Sequence, residues 1–391
     1  MAQVASESAM AIRSDTVSGK MEMRKNLLLQ HIHRNRSIGR LELGRDLQMS
    51  KSRLCEVVQD MIDEGLILES LDGTERRGRR PVPLSPNPDH GCFVGLDFEA
   101  KRMRVVVVDF SGQTLFKRHR TLSPISDRNK LIDRLLGFIE EGLEAARRIG
   151  TEILGIGVAA PGIINRNTGT LVHYDFIEAA RDIPLGELIQ NQAGLPCVVD
   201  NNIRCYAMTE WTSGGARNMS DFICLAVRSG FGSAIILNGQ LLDGSHGYSG
   251  EAGYTRVASA KPASEWKTFQ EVVSEKALDV DFEAKDFALS KKKAQTAGEL
   301  LGARAASLAT LLDPEAIILV GKLLEPDGPL WPYVEETYRN FILPDIAELV
   351  PLLHSQVDSY AAAVGATQRS FQALFPINAS SARKAGVANA V

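Results

Sequence analysis

Long hydrophobic runs are absent from this chain of 391 residues. A membrane-spanning helix needs ~20 consecutive apolar residues, and no stretch approaches that length. The N-terminus also lacks the apolar core of a secretion signal. These absences argue against a membrane protein, and we expect the protein to be cytoplasmic.

Cysteine is scarce, and its spacing is irregular. The residues are Cys55, Cys92, Cys197, Cys205 and Cys224. Their number is odd and no two form a CxxC pair, so the pattern favours neither a disulfide framework nor a zinc knuckle. We expect buried, reduced thiols.

An overall excess of positive charge is also missing, because the formal net charge is −4. The charge is nevertheless uneven along the chain. Residues 20–82 contain 13 Lys and Arg against 10 Asp and Glu, a balance of +3 that leaves −7 for the rest. A basic N-terminal part on an acidic body is typical of a regulator with separate DNA-binding and sensing parts.

The segment 37–84 has the pattern of a helix-turn-helix, and it follows a first helix predicted over 24–36. Residues 39–47 predict a short positioning helix, and Gln48-Met49 predicts the turn. Ser50 is the expected N-cap of the next helix, because its hydroxyl can accept hydrogen bonds from free amides of the first turn. That helix is expected to end near Gly65.

This last helix has an apolar and a polar face. Leu54, Val57, Val58 and Met61 recur at helical spacing and should pack on the rest of the unit. The outward side chains of a recognition helix read base edges in the major groove. The candidate DNA contacts here are Arg40, Ser50, Lys51, Ser52, Arg53, Glu56 and Gln59.

A β-hairpin wing is predicted next, with strands at 66–69 and 82–84 and Asp72-Gly73 in the turn. Its second arm holds the further candidate DNA contacts Arg76, Arg77, Gly78, Arg79 and Arg80. An arginine-rich loop is usually only solvated. Beside a helix-turn-helix, however, this one is suited to a narrow, A·T-rich minor groove.

These patterns predict the domain organisation. A disordered segment over 1–20 precedes a winged helix-turn-helix over 21–85 and a stiff linker over 86–90. The strand–helix patterns that follow, which include a strand over 112–116 and a helix over 296–312, indicate an α/β body with two similar lobes and a ligand-binding cleft between them. The lobes are assigned to 91–210 and 211–356, with a helix at about 357–374 returning to the first lobe and a disordered tail over 376–391.

Several motifs in the body carry a family resemblance. They are Ala160-Pro161-Gly162, Asp182-Ile183-Pro184-Leu185-Gly186, Val199-Asp200-Asn201-Asn202, Ser229-Gly230-Phe231-Gly232, Gly250-Glu251-Ala252-Gly253-Tyr254 and Leu312-Asp313-Pro314-Glu315. In order and spacing, from about 91 to 374, they resemble the ROK family of repressors and sugar kinases. The resemblance implies an actin-like (RNase H-like) two-lobed fold. The winged helix in front of it resembles the repressor branch.

The resemblance also implies a sugar cleft without catalytic residues. Family kinases have an aspartate as general base where this chain has Asn202, and a carboxamide has no basic site near neutral pH. Asn201, Asn202 and Glu251 would still hydrogen-bond a sugar. A local capping or pairing role for Glu251 remains the alternative.

Neither ATP nor zinc is expected as a cofactor. The Asp-x-Gly-Gly-Thr hairpin with which family kinases approach ATP phosphates is replaced by a sequence containing Phe98 and Glu99. Gly230 and Gly232 are a phosphate-loop remnant or an ordinary tight turn. Tyr254 stands where zinc-bearing relatives have a histidine, and residues 257–268 contain no cysteine. Tyr254 then contacts the sugar or fills the volume left by zinc.

We therefore expect a repressor of carbohydrate uptake or catabolism genes. A homodimer or homotetramer would bind a pseudo-palindromic, A·T-rich operator in double-stranded DNA, and a sugar or sugar derivative would modulate that binding. Two alternatives stay open. One is an active ATP-dependent sugar kinase with a regulatory head, and the other is a regulator controlled by a protein partner.

Overall fold

A computed structural model of the chain describes residues 17–69, 83–258, 262–280 and 289–377. The predicted turn Asp72-Gly73 lies outside these ranges, as do residues 1–16 and 378–391 of the segments expected to be disordered. The same is true of the arginine cluster of the wing, which comprises Arg76, Arg77, Gly78, Arg79 and Arg80.

The N-terminal unit combines helices with a three-stranded antiparallel sheet of order β1-β3-β2. The elements are α1 (Val17–Asn35), β1 (Ile38–Gly39), α2 (Arg40–Asp46), α3 (Lys51–Asp63), β2 (Ile67–Glu69) and β3 (Pro83–Pro86). Glu69 lies opposite Leu84, which confirms the pairing predicted between the two arms of the hairpin.

Helix α1 begins at Val17, before the predicted start at residue 24 and inside the segment for which no regular structure was expected. The partly buried Met21 packs against the hydrophobic core of the unit. This contact explains the longer helix, because tertiary packing contributes more to helix stability than local propensity does.

Helix α3 buries the face that its spacing predicts. Leu54 is 4% exposed, and Val57, Val58 and Met61 are fully buried. Ser50 occupies the N-cap position with extended dihedral angles, but its side chain makes no capping hydrogen bond, so that detail of the prediction is wrong. Ser50 is exposed, and water can satisfy the free amides of an exposed helix terminus.

The predicted linker over 86–90 is built into the fold. Pro86 pairs with Ile67 at the end of β3, and a 3-10 helix follows over Pro88–His90. The side chain of Asn87 donates a 2.8 Å hydrogen bond to the carbonyl of Gly65. The first residues of the linker are therefore packed onto the N-terminal unit.

The first lobe of the body is a five-stranded sheet of order β11-β7-β4-β5-β6, in which β4 runs antiparallel to β5 and parallel to β7. The strands are β4 (Cys92–Phe98), β5 (Arg102–Asp109), β6 (Thr114–Thr121), β7 (Ile153–Ala160) and, after three further strands, β11 (Cys197–Asn201). Strand β6 extends beyond the predicted 112–116, because it pairs with β5 as far as Thr121. It forms an edge of the sheet, and its charged residues are exposed there.

Helices and a small sheet complete this lobe. They are α4 (Arg128–Ile149), β8 (Ile163–Asn165), β9 (Thr170–His173), β10 (Arg181–Ile183), α5 (Leu185–Ala193) and α6 (Asn202–Ser213). A C-terminal helix over Ala361–Leu374, the last helix of the described residues, packs on α6 and on the sheet. A Cβ atom on Gly157 would lie 1.9 Å from the carbonyl oxygen of Ala366, so glycine permits this close approach.

The second lobe repeats the arrangement with a sheet of order β14-β13-β12-β15-β16. Its elements are β12 (Phe222–Val227), β13 (Phe231–Leu237), β14 (Gln240–Leu241), α7 (Lys291–Leu312), β15 (Ala316–Val320), α8 (Trp331–Phe341), α9 (Pro344–Leu349) and β16 (Leu352–His354), and the C-terminal helix is α10. Helix α7 starts before the predicted residue 296, because Ser290 caps it by accepting a 3.3 Å hydrogen bond from the amide of Lys293.

The first residues of the predicted tail 376–391 contact the N-terminal unit. Asn26 donates a 3.1 Å hydrogen bond to the carbonyl of Pro376, and Ile377 packs against the same core as Met21. The expectation of disorder is therefore wrong at this point. Among the described helices, none is long and apolar enough to cross a membrane.

Candidate functional site

The residues predicted to bind a sugar converge on one cavity between the two sheets. Asn201 and Asn202 lie where β11 meets α6, and Glu251 and Tyr254 lie in the segment after β14. The cavity is also lined by Gly230, Gly232, Glu99, Arg228 and Gln270. Its volume is about 50 Å³, well below the ~300–1,000 Å³ of ligand pockets. The cleft is closed and must widen to hold a monosaccharide.

Asn201 has a structural role that the sequence did not indicate. Its side-chain oxygen caps α6 by accepting a 2.8 Å hydrogen bond from the amide of Ile203. Its side-chain nitrogen donates a 3.0 Å hydrogen bond to the carbonyl of Gly162. Asn201 therefore fixes the Pro161-Gly162 turn to the start of α6, and little of its carboxamide remains for a ligand.

Asn202 is placed differently from its neighbour. It is the first residue of α6 and only 7% exposed. Its side chain lines the cavity and forms no hydrogen bond with the part of the chain that the structure describes. Its amide and carbonyl groups are thus available to the hydroxyls of a ligand.

The Glu251 carboxyl group lines the cleft and has a strongly shifted pKa. Burial raises its pKa to about 7, against the opposing charges of Arg204 and Arg166. Glu251 precedes the 3-10 helix Ala252–Tyr254 but makes no side-chain capping bond to it. This geometry argues against the capping alternative and leaves the carboxyl group facing the cavity.

Tyr254 connects the two lobes. Its hydroxyl lies 3.4 Å from Nε2 of His173, at the end of β9 in the first lobe, and burial raises the pKa of the phenol. Nearby, Gln270 donates a 3.0 Å hydrogen bond to Asp175. His173, Asp175 and Gln270 carry no local sequence signal that marks them as part of the cleft.

A buried cluster of charges occupies the first hairpin of the body. Glu99 accepts hydrogen bonds from Arg104 at 3.0 Å, from Arg228 at 2.6 Å and from Ser229 at 3.2 Å. Asp97 accepts from Arg104 at 2.8 Å and from Arg228 at 3.2 Å. Although burial opposes ionisation, the two arginines lower the pKa of Glu99 to about 2.

This cluster bridges the lobes, because Arg228 follows β12 whereas Asp97 and Glu99 belong to the β4–β5 hairpin. The side chains of Asp97 and Glu99 are 0% and 2% exposed. Two acidic side chains therefore lie at this hairpin. In kinases that share the motif, the amides of glycines in the same hairpin approach the phosphates of ATP. Arg104 and Arg228 are bound to these two acidic residues and are therefore not free to bind a phosphate.

Residues 254–268 contain neither Cys nor His. Tetrahedral zinc takes four nitrogen, sulfur or oxygen ligands, commonly Cys and His. Within the described ranges, no group of three or more His, Cys, Asp or Glu side chains is placed to hold a metal. Of the cysteines, Cys55 is exposed on α3, which contradicts the expectation that all five thiols are buried.

The predicted DNA contacts on α3 share an exposed surface. Lys51, Ser52, Arg53, Glu56 and Gln59 are all exposed, beside the exposed Ser50. Gln59 donates a 2.8 Å hydrogen bond to Asp63 in the same helix. The Nε of Arg40 donates a 2.6 Å hydrogen bond to Glu69 on β2, so this arginine ties α2 to the hairpin.

A chain of ion pairs runs from the cleft towards the N-terminal unit. Asp200 accepts hydrogen bonds from the amide of Asn201 at 2.7 Å, from Arg204 at 2.8 Å and from Arg369 at 2.9 Å. Asp243 in turn pairs with both Arg204 and Arg166. Arg204 and Arg166 also lower the pKa of Glu251, so the network begins at the cleft.

The N-terminal unit contacts the body through α1. The guanidinium of Arg34 lies 4.2 Å from the ring centre of Trp211 and donates a 2.9 Å hydrogen bond to the carbonyl of Met219. His33 stacks on Phe371 of α10 with ring centres 4.3 Å apart. Arg369, which pairs with Asp200, lies in the same helix as Phe371.

The sequence model of the ROK family matches residues 93–369, which contain every residue of the cleft and both sheets except Cys92. The chain belongs to the ROK family. Similar proteins include the xylose repressor of Caldicellulosiruptor bescii, 30% identical over 236 residues, and the chain spans 59% of that protein's length with 60% of its own. The xylose repressor of Bacillus spizizenii is 26% identical over 368 residues, which are 88% of this chain and 94% of that protein.

Solved structures of ROK proteins share the fold. A ROK family transcriptional regulator described as a homolog of the E. coli MLC protein has a TM-score of 0.74 at 21% identity, covering 94% of this chain and 99% of its own. The ROK hexokinase of Thermus thermophilus has a TM-score of 0.59 at 24% identity, covering 72% and 99%. Regulators and kinases thus share this architecture, and the fold alone does not distinguish them. The residues of the cleft have to be compared instead.

Proposed function

We propose that this ROK protein is a sugar-responsive DNA-binding regulator that represses genes of carbohydrate uptake or catabolism. The observation that carries the proposal is the pairing of an exposed polar face on α3 with a sugar-kinase-like cleft that has Asn202 in place of a general base. Relatives named xylose repressors support it. A DNA-binding regulator works in the compartment that contains the DNA, so we also propose that the protein is cytoplasmic.

The N-terminal unit is proposed to be a winged helix-turn-helix. In that arrangement α2 positions α3, and Ser52, Arg53, Glu56 and Gln59 face the bases of the major groove. The wing would place Arg77 and Arg79 in an adjoining A·T-rich minor groove. A homodimer would present two copies of α3 about 34 Å apart, which implies a pseudo-palindromic operator.

The cleft is proposed to bind a sugar without phosphorylating it. Asn202 can hydrogen-bond a hydroxyl but cannot remove its proton. Phe98 and Glu99 stand where family kinases have glycines, and Arg104 and Arg228 are already bound to Asp97 and Glu99, so we propose that ATP phosphates are not accommodated there. We propose no zinc and no nucleotide as cofactor.

Coupling between cleft and head is proposed to pass through the ion pairs of Asp200, Arg204, Asp243 and Arg369. Widening of the cleft would move Glu251 relative to Arg204, and Arg369 shares α10 with the contact surface of α1. A sugar shifts the head only if it binds the two lobe arrangements with different affinity. The closed cleft and a widened, occupied cleft are the two states that we assign.

The proposal is tested by selecting bound sequences from a random DNA library and mapping the selected site by footprinting. We expect two protected half-sites one helical turn apart, and titration with pentoses, hexoses and amino sugars should release the protein with at least one of them. Two other outcomes would replace the proposal. Specific binding that no sugar alters would favour control by a protein partner, and ATP-dependent sugar phosphorylation at ordinary kinase rates would make the chain a kinase.

A further inference from the structure

A second cavity, larger than the closed sugar cleft, lies between the N-terminal unit and the body. Its walls are α1, α6, the β13–β14 turn, α10 and the segment Pro376–Ile377, and its volume is about 430 Å³. This size falls within the ~300–1,000 Å³ of small-molecule sites. Because its walls come from both parts, the cavity lies at the contact between the N-terminal unit and the body.

The charged groups around this cavity already have partners. Arg369 pairs with Asp200, Asp243 pairs with Arg204, and Arg34 binds a carbonyl and stacks on a tryptophan. Burial lowers the pKa of His33 to about 4, so its imidazole is neutral near pH 7. An ionic ligand would have to break these pairs, whereas a neutral ligand would not.

The other polar groups are mostly the carboxamides of Gln30, Gln240, Gln368 and Gln372. The Gln30 nitrogen donates a 2.6 Å hydrogen bond to the carbonyl of Phe375, and the Gln372 oxygen accepts one of 2.6 Å from Arg369. Gln368 is 7% exposed, and its nitrogen donates a 2.6 Å hydrogen bond to the hydroxyl of Thr212. Its carbonyl oxygen is buried and has no hydrogen-bond partner within the described residues. A buried carbonyl without a donor is unfavourable, and a ligand hydroxyl would satisfy it.

The other walls are apolar and aromatic. Trp211, Met208, Phe371 and Leu27 line the cavity beside the carboxamides. Aromatic and aliphatic surfaces with a few uncharged hydrogen-bonding groups suit the C–H faces and hydroxyls of a neutral polyol.

We propose that this cavity is a second ligand site, separate from the sugar cleft, for a small neutral polyhydroxylated molecule of the size of a mono- or disaccharide. The Gln368 carbonyl accepts a hydroxyl of the ligand, and the aromatic wall covers its less polar face. Because α1 forms one wall and α6 and α10 form others, the bound ligand joins the head to the body.

The test uses the full chain with 13C-labelled methionine methyl groups, because Met208 lies in the cavity wall. The Met208 resonance is assigned with Met208→Leu, and D-xylose, D-glucose and sucrose are the probes. The variants are Gln368→Leu, which removes the carbonyl but keeps the volume, and Gln240→Trp, which covers the rim. Gln295→Leu on the exposed face of α7 is the matched control.

A saturable shift of the Met208 resonance is expected with at least one probe. It should persist in Glu251→Gln, which disables the sugar cleft, and in the control, and weaken at least tenfold in Gln368→Leu and Gln240→Trp. The proposal is overturned if no probe shifts the resonance, if Gln368→Leu binds as the wild type does, or if Glu251→Gln abolishes the shift. Failure of the sugar cleft itself would leave the shift intact, so the two proposals fail separately.

Discussion

The Glu251 carboxyl group gives the cleft a pH dependence. Burial raises its pKa to about 7, so it changes charge close to neutral pH. A carboxylate accepts hydrogen bonds from hydroxyls more strongly than the protonated acid does. We predict that sugar affinity rises between pH 6 and pH 8 in calorimetric titrations.

Substituting Glu251→Gln should lower sugar affinity roughly 10- to 100-fold at pH 8, the effect of losing a hydrogen bond to a charged group, and should remove the pH dependence. An affinity that stays pH-dependent in this variant would assign the titration to another group. Asn201→Ala is the comparison, because its capping role predicts lower stability rather than a new pH profile.

The same pKa shift affects folding. A carboxyl group whose pKa is raised in the folded state binds its proton more tightly there, so its stabilising effect is present below the unfolded pKa and is lost as the pH rises through the folded pKa. Between about pH 4.5 and pH 7 the folded wild type therefore loses stability relative to Glu251→Gln. At pH 8 we predict that the variant is more stable by on the order of 2 kcal/mol.

Urea denaturation of both proteins at pH 4.5 and pH 8 measures this difference. The difference in the free energy of unfolding between variant and wild type should disappear at the lower pH, where both side chains are neutral in the folded protein. A gap of equal size at both pH values would mean that Glu251 is not ionised within the cleft.

Single residues also show where sequence reasoning stops. Asn202, Glu251 and Tyr254 meet in one cavity, as motif resemblance predicts, because the motifs follow strand ends that the fold brings together. The Glu99–Arg228 pair could not be predicted, because the two residues are 129 positions apart and neither position has a local pattern. The capping role of Asn201 was obscured by its place beside a kinase motif.

At the scale of helices and strands, the contact between α6 and α10 depends on a glycine. A Cβ atom on Gly365 would lie 1.7 Å from the carbonyl oxygen of Cys205. We predict that Gly365→Ala destabilises the protein by about 1–3 kcal/mol or prevents folding, because backbone must move to relieve the overlap. Thermal denaturation measures the effect.

A matched helical glycine provides the control. Gly137 on α4 is exposed, and a Cβ atom there meets nothing within 4 Å. Gly137→Ala should stabilise the protein by ~0.5–1 kcal/mol through helix propensity. If both substitutions had the same effect, the close packing of α6 on α10 would be contradicted.

The proposed wing makes a separate prediction at this scale. If Arg77 and Arg79 contact phosphates or a minor groove, replacing either by Ala should weaken operator binding and reduce the slope of log affinity against log salt by about 0.9 per lost phosphate contact. Fluorescence anisotropy at several salt concentrations measures both quantities. Unchanged affinity and slope would remove the wing from the DNA interface.

Element types were predictable from periodicity, whereas their ends depended on particular contacts. Helix α3 was recognised because its apolar residues recur at 3.6-residue spacing and are buried in the fold. Helix α7 starts before the predicted residue 296, because Ser290 caps it. Packing of Met21 lengthened α1 in the same way.

For the molecule as a whole, Arg228 joins the lobes at the buried hairpin through ion pairs with Asp97 and Glu99. Replacing it with Gln would leave the carboxylates of Asp97 and Glu99 with Arg104 as their remaining cation in the cluster. We predict a loss of ~3–5 kcal/mol of stability, as for other broken buried pairs. Denaturant unfolding measures it, and Arg339→Gln serves as the control.

Arg339 pairs with Glu335 on the surface of α8, where its side chain is 70% exposed. An exposed pair of this kind contributes ~0–1 kcal/mol. Equal effects of the two substitutions would show that the Arg228 cluster does not hold the lobes together.

The whole-molecule arrangement was only partly predictable. Resemblance in the body motifs indicated two lobes and a cleft, because such motifs lie where strands end at a shared site. The packing of the head on the body was not predicted. It depends on His33, Arg34 and Asn87, which contact residues distant in the chain or carbonyl groups that have no sequence signature.

The central claim is that a sugar in the cleft controls DNA binding by the head. It is tested most directly by measuring the operator dissociation constant with and without the effective sugar, in the wild type and in Glu251→Gln. The account predicts a change of at least tenfold in the wild type and almost none in the variant, with equal operator affinity when sugar is absent. A sugar effect of the same size in both proteins, or in neither, would contradict it.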